Sequence, residues 1–129
     1  DATRDIVLVG EAEGRLVCLG GLHRHGGPAR AHVRVLGCSV ATAYQGRGVG
    51  QALVRGLVDA AWEAGARRLE LEVYADNHRA RALYSRMGFV EEGTLRRDAF
   101  GSGVYLDVIV MARLADEKTV QKYRVTRLL

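Results

Sequence analysis

Three glycines in five positions, Gly46, Gly48 and Gly50, stand between an apolar run ending at Val40 and a stretch from Val49 in which apolar residues recur every three or four positions. The period changes at this point from that of a strand to that of a helix, so residues 40–53 read as strand, glycine-rich loop and helix start. A helix start leaves its first N–H groups without intrahelical partners and carries about half a positive charge, which favours an anion. Glycines remove the Cβ atoms that would hold such an anion away. Arg47 adds a charged fork for a phosphate oxygen. Two familiar phosphate loops do not fit. No Lys-Ser or Lys-Thr follows the glycines as in a Walker A loop, and the G-x-G-x-x-G spacing of a dinucleotide fold is absent.

The rest of the chain is legible in the same terms. Two short apolar runs, residues 6–9 and 16–19, flank a Gly- and Glu-rich turn and predict a β-hairpin. A loop with the sole proline, Pro28, leads to a long strand over residues 31–41. The helix over residues 48–65 is followed by alternation of Leu69, Leu71 and Val73 with Glu70, Glu72 and Tyr74, a strand with two unlike faces. Ala80, Leu83, Tyr84 and Met87 share one face of a second helix, with Asn77 placed to cap its start and Gly88 to end it. A strand begins at Phe89-Val90, a polar loop is expected up to Gly103, and residues 104–111 form the last strand. The order is β-β-β-α-β-α-β-β. Residues 1–114 make one domain, and residues 115–129, which hold both lysines, read as an appended helix or arm.

At 129 residues, with 48% hydrophobic and 26% charged residues, the chain suits a single globular domain with a core of its own. The net charge of +4 is scattered from Arg4 to Arg127, without the basic run or aromatic interleaving of a nucleic-acid surface. No apolar run approaches the ~20 residues of a membrane span. Cys18 and Cys38 fit neither a CxxC pair nor a metal set and read as buried free thiols. A soluble, cytoplasmic protein without metal, membrane or nucleic-acid partner is expected. Its assembly is left open between monomer and homodimer.

The motifs resemble those of the GNAT superfamily of acyl-CoA N-acyltransferases. That family carries Q/R-x-x-G-x-G/A at the start of its central helix, here Gln45-x-x-Gly48-x-Gly50. About thirty residues on it shows Asn, Ala, Leu-Tyr and Gly-Phe, here Asn77, Ala80, Leu83-Tyr84 and Gly88-Phe89. The likeness covers residues 6–114. It implies an α/β (α+β) fold with a mixed, mostly antiparallel sheet flanked by helices, whose two central parallel strands splay to admit the pantetheine arm of acetyl-CoA. It also implies a strand and one or two helices ahead of the hairpin, forming one wall of the acceptor pocket. This sequence opens on Asp1 without them, so the domain is expected to be N-terminally incomplete.

The chemistry implied is N-acetyl transfer from acetyl-CoA to a primary amine of a small molecule or amino acid by direct attack. A protein or peptide acceptor, or a catalytically silent acyl-CoA-binding module, are the alternatives. An amine with a pKa near ~10 must lose a proton before attacking, the carbonyl oxygen needs a donor as it gains charge, and the leaving thiolate needs a proton. The resemblance assigns Gln45, Gly46, Arg47, Gly48, Val49, Gly50 and Gln51 to the pyrophosphate, and the amides of Ser39 and Val40 to the carbonyl and pantetheine. It assigns Asn77 to a pantetheine amide and Tyr84 to protonation of the sulfur. For the base, Glu72 and Glu70 share one strand face, and His32 has the intrinsic pKa best suited to the task. Arg96, Arg97 and Tyr105-x-Asp107 look like the branch that acetylates free amino acids.

Overall fold

Alternation in the sequence becomes a six-stranded sheet, and the two stretches of helical period become helices packed on it. The structure of the protein, a computed structural model, describes residues 5–117. In chain order the elements are β1 (Ile6–Ala12), β2 (Arg15–His23), β3 (Val33–Val40), α1 (Val49–Glu63), β4 (Arg68–Tyr74), α2 (His78–Arg86), β5 (Val90–Gly101) and β6 (Val104–Leu114). The strands lie in the order β1-β2-β3-β4-β6-β5, antiparallel throughout except for the central pair β3 and β4. This is the expected element order and the expected mixed sheet. The central crossover through α1 is what makes the pair parallel, since parallel neighbours need a connection of this length.

Both helices cover the same face of the sheet. Leu53 and Leu57 of α1 close over Gly20 of β2, where a Cβ would stand 2.7 Å from Leu57 Cδ1. From α2, Tyr84 reaches Cys38 of β3. Gly20 and Cys38 face each other in the β2–β3 register, so the two contacts share one face. The core lies between that face and the helices, built on Leu22, Leu36, Val54, Leu57, Leu69, Leu71 and Met111. Burying one such Leu or Val stabilises by roughly 1.5–3 kcal/mol. The second face carries Glu70 and Glu72 and leaves Val7, Val9, Leu19 and Tyr74 exposed among the described residues. No helix among the described residues is long and apolar enough to cross a membrane.

The polar stretch expected to be a loop is a correction: it is most of β5, twelve residues paired along β6. As the outermost strand β5 exposes side chains on both faces, so it shows no alternation of apolar and polar residues. A bulge between Leu95 and Ala99 holds Arg97 at φ 53, with its N–H donating to the Asp107 carboxylate at 2.9 Å. The strand expected over residues 31–41 is shorter, bounded by 3-10 turns at Pro28–Arg30 and Thr42–Tyr44. Of the tail, residues 115–117 close onto β4 through the Ala115 N–H and the Arg67 carbonyl. Residues 118–129 lie outside the described residues.

Candidate active site

The two parallel strands part as they run. Pairing joins Val33 to Arg68, Arg34 to Leu69 and Val35 to Glu70, and no further pair follows. Beyond Val35 the rest of β3 therefore faces an open gap rather than a neighbouring strand. Which main-chain groups face it follows from alternation. The Ala41 N–H donates to the Val17 carbonyl at 2.8 Å on the β2 side, and the His32 carbonyl accepts from Arg67 and Arg68 on the β4 side. Odd-numbered residues of β3 thus bond to β2, while Cys38 and Val40 present N–H and C=O to the gap. The amide expected from Ser39 is turned toward β2, a correction that follows from parity alone. The amide that faces the gap beside that of Val40 is Cys38's.

The gap widens into a cavity of about 570 Å³ at the carboxyl ends of the parallel strands, the usual place for a ligand in sheets of this kind. Its rim is the glycine loop. Gly46 and Gly48 take φ values of 76° and 83°, a conformation costly for any residue with a Cβ. Gly48 is the N-cap of α1, with no capping side chain and no acidic residue in the first turn. The first intrahelical bond runs from Ala52 N–H to the Gly48 carbonyl at 3.1 Å, so the amides of Val49, Gly50 and Gln51 have no helical partner. Gly50 serves a different need. A Cβ there would meet Leu83 Cδ2 at 3.3 Å, so its absence lets α2 close against α1 beside the cavity. Gln45 turns its side chain inward, Nε2 donating to the Val40 carbonyl at 3.1 Å, and pins the loop to β3.

From the other wall α2 contributes Asn77, Arg79, Ala80, Leu83, Tyr84 and Arg86. Asn77 caps the helix as expected, Oδ1 accepting from the Ala80 N–H at 3.1 Å. Arg79 lies over the loop, its Nη2 2.8 Å from where a Gly46 Cβ would stand. Arg47, expected to reach the anion, instead stacks on Tyr44 at 5.1 Å from the ring centre and lines the groove toward β1. Val49, also expected at the anion, lines that same groove rather than the cavity. Tyr84 is 8% exposed, packs edge-on against Phe89, and places its hydroxyl 3.2 Å from Cys38 Sγ at the cavity floor. Burial, and then the Cys38 contact, push the phenol's pKa well above its ordinary value. The Cys38 thiol is likewise raised by burial, against the contact with Tyr84.

The two glutamates lie on the opposite face of β4. Glu70 receives Arg30 Nη2 at 2.8 Å and Arg68 Nε at 2.9 Å. Burial works to raise its pKa, but the two guanidiniums outweigh it and hold the carboxyl below its usual value. Glu72 is exposed beside the gap and has no ion pair among the described residues. His32 is a correction. It precedes β3 at the end away from the loop, roughly 25 Å of extended chain from Val40, because the strand runs away from it. Among the described residues no three of His, Cys, Asp or Glu gather as a metal would need.

A family model described as Acetyltransferase (GNAT) family matches residues 1–89. The chain belongs to the GNAT acetyltransferase family. Over 89 residues it is 37% identical to an L-amino acid N-acetyltransferase, AaaT, of Escherichia coli, covering 67% of this chain and 54% of that protein. Over 84 residues it is 42% identical to the N-alpha-acetyltransferase RimI of Mycobacterium tuberculosis, covering 65% and 51%. The chain spans about half the length of these curated relatives. A GNAT acetyltransferase structure from Streptococcus pneumoniae superposes with a TM-score of 0.83 at 27% identity, covering 88% of this chain and 68% of that one.

Within this GNAT chain the cavity also holds Cys38, Arg79 and Arg86, which the sequence did not single out for the site. Arg79 was passed over because arginines on helices are ordinary surface residues, although its place two positions after the cap Asn77 aims it at the loop. Cys38 was read as core, although it shares the parity of Leu36 and Val40 and so projects toward α2.

Proposed function

We propose that this chain carries the donor-binding and transferring part of an N-acetyltransferase, which moves acetyl from acetyl-CoA to the primary amine of a free amino acid or similar small molecule. The observation that carries this is the uncapped start of α1, where Gly48, Gly50, Gln51 and Arg79 border a cavity that runs down to Tyr84. Such a rim suits a diphosphate, by its free N–H groups and its uncompensated helix charge. Gln45, Gly46 and Gly48 shape the loop, and Asn77 keeps its Nδ2 for a pantetheine carbonyl.

On this reading Glu72 takes the proton of the incoming ammonium through water, and the freed amine attacks the thioester carbonyl. The oxygen gains charge beside the unpaired amides of Cys38 and Val40, which donate to it. As the carbon–sulfur bond breaks, Tyr84 gives its hydroxyl proton to the sulfur, and the second proton shed by the amine nitrogen as the amide forms restores the phenol. A phenol held neutral by burial is suited to that step. Glu70, tied to two arginines, keeps negative charge near the acceptor without acting as the base.

A protein or peptide N-terminus is a second reading, favoured by the 42% identity to the mycobacterial N-alpha-acetyltransferase. Calorimetry with acetyl-CoA and CoA, followed by mass spectrometry of amino acids and peptides incubated with acetyl-CoA, separates the readings. Saturable binding with acetylated free amino acids is expected. Acetylation of peptides alone would favour the second reading, binding without acetylation would leave a silent acyl-CoA-binding module, and no binding would end all three.

A further inference from the structure

The contact between Cys38 and Tyr84 joins residues 46 positions apart in sequence, and each stands where the proposed chemistry needs it. The Cys38 main chain faces the gap, while its side chain points to the helix face and meets the phenol oxygen at 3.2 Å. Both residues line the cavity floor. Among the described residues no other side chain bonds to the Tyr84 hydroxyl. The Tyr84 ring is packed into the core and edge-on against Phe89, and the Cys38 sulfur is what its hydroxyl oxygen meets at the end of that ring. Sulfur is a weak hydrogen-bonding partner. It fixes the oxygen without competing for its proton as a carboxylate or imidazole would.

Resting on the reading of Tyr84 as the proton donor to the leaving sulfur, we propose that Cys38 is the positioning residue for that donor. Its sulfur holds the phenol oxygen at the mouth of the gap, so that the proton moves from Tyr84 Oη to the departing thiolate without a prior rotation of the ring. Cys38 itself exchanges no bond with the donor. The same residue thus contributes an amide toward the carbonyl and a side chain that sets the acid, from one position on β3.

The test is a double-mutant cycle in the full-length protein, measuring kcat and KM for acetyl-CoA at saturating acceptor. Cys38→Ala is expected to lower kcat roughly five- to tenfold, within the lower part of the range for a contacting pair, with KM changed less than about twofold. Cys38→Ser, which keeps a hydrogen-bonding group at the site, is expected to recover much of the loss. In a Tyr84→Phe background, Cys38→Ala is expected to cost nothing further. An unchanged kcat in Cys38→Ala, or an equal loss in the Tyr84→Phe background, would overturn the positioning role while leaving Tyr84 as the acid. A Tyr84→Phe variant with full kcat would overturn the acid reading, and the inference with it.

Discussion

Glu70 and Glu72 sit two positions apart on one face of β4, and their neighbours give them different work. Glu70 is closed in by Arg30 and Arg68, while Glu72 has no ion pair among the described residues. Because the folded protein holds the Glu70 carboxyl below its ordinary value of 4.5, its ion pairs stabilise the fold fully above that value. The contribution fades as pH falls through the lowered value. Urea unfolding is therefore expected to find Glu70→Gln less stable than wild type at pH 7, with the difference shrinking toward pH 3. A constant difference at both pH values would mean that packing, not charge, is lost. At this scale the sequence showed the candidates but not their partners. That Glu72 and Glu70 share a face follows from period two, whereas the arginines that occupy Glu70 come from a 3-10 turn and from the same strand. The Cys38–Tyr84 contact depends on a helix 46 residues away, and no local pattern encodes such a distance.

The loop and α1 form one device, in which Gly48 sets the direction of the helix and the helix presents its amides. At φ 83, with nothing near its open side, Gly48 tolerates a methyl group sterically but not conformationally. Gly48→Ala is expected to cost roughly 1–2 kcal/mol and to weaken CoA binding at least several-fold by calorimetry. Gly65→Ala, at φ 92 beyond the other end of α1 and equally unobstructed, supplies the comparison. It is expected to cost about as much stability while leaving CoA affinity unchanged. Equal losses of affinity in both would mean that the loop acts only through stability. The order of elements was legible because each buries one face and so carries a clear period. The start of β5 was legible at Phe89-Val90 but its length was not, because an outer strand solvated on both sides has no period to read.

At the scale of the molecule, the helices cover one face and the site opens where two half-sheets separate. The position of α1 over β2 depends on Gly20, against which Leu53 and Leu57 close directly. Gly20→Val is expected to destabilise by about 1–3 kcal/mol through overpacking and to weaken CoA binding as well, because the displaced helix carries the anion site with it. Denaturant unfolding and calorimetry read the two effects; lost stability with intact affinity would show that the loop holds its place independently of α1. The splayed pair has one further effect. With three paired positions holding β3 to β4 and a slot above them, the depth of the slot separates the glycine loop, the proposed anion site, from Tyr84, the proposed acid. A donor too short to fill that interval would satisfy one end or the other but never both. Under the proposed function the slot acts as a gauge of acyl-donor length, a ruler set into the middle of the sheet.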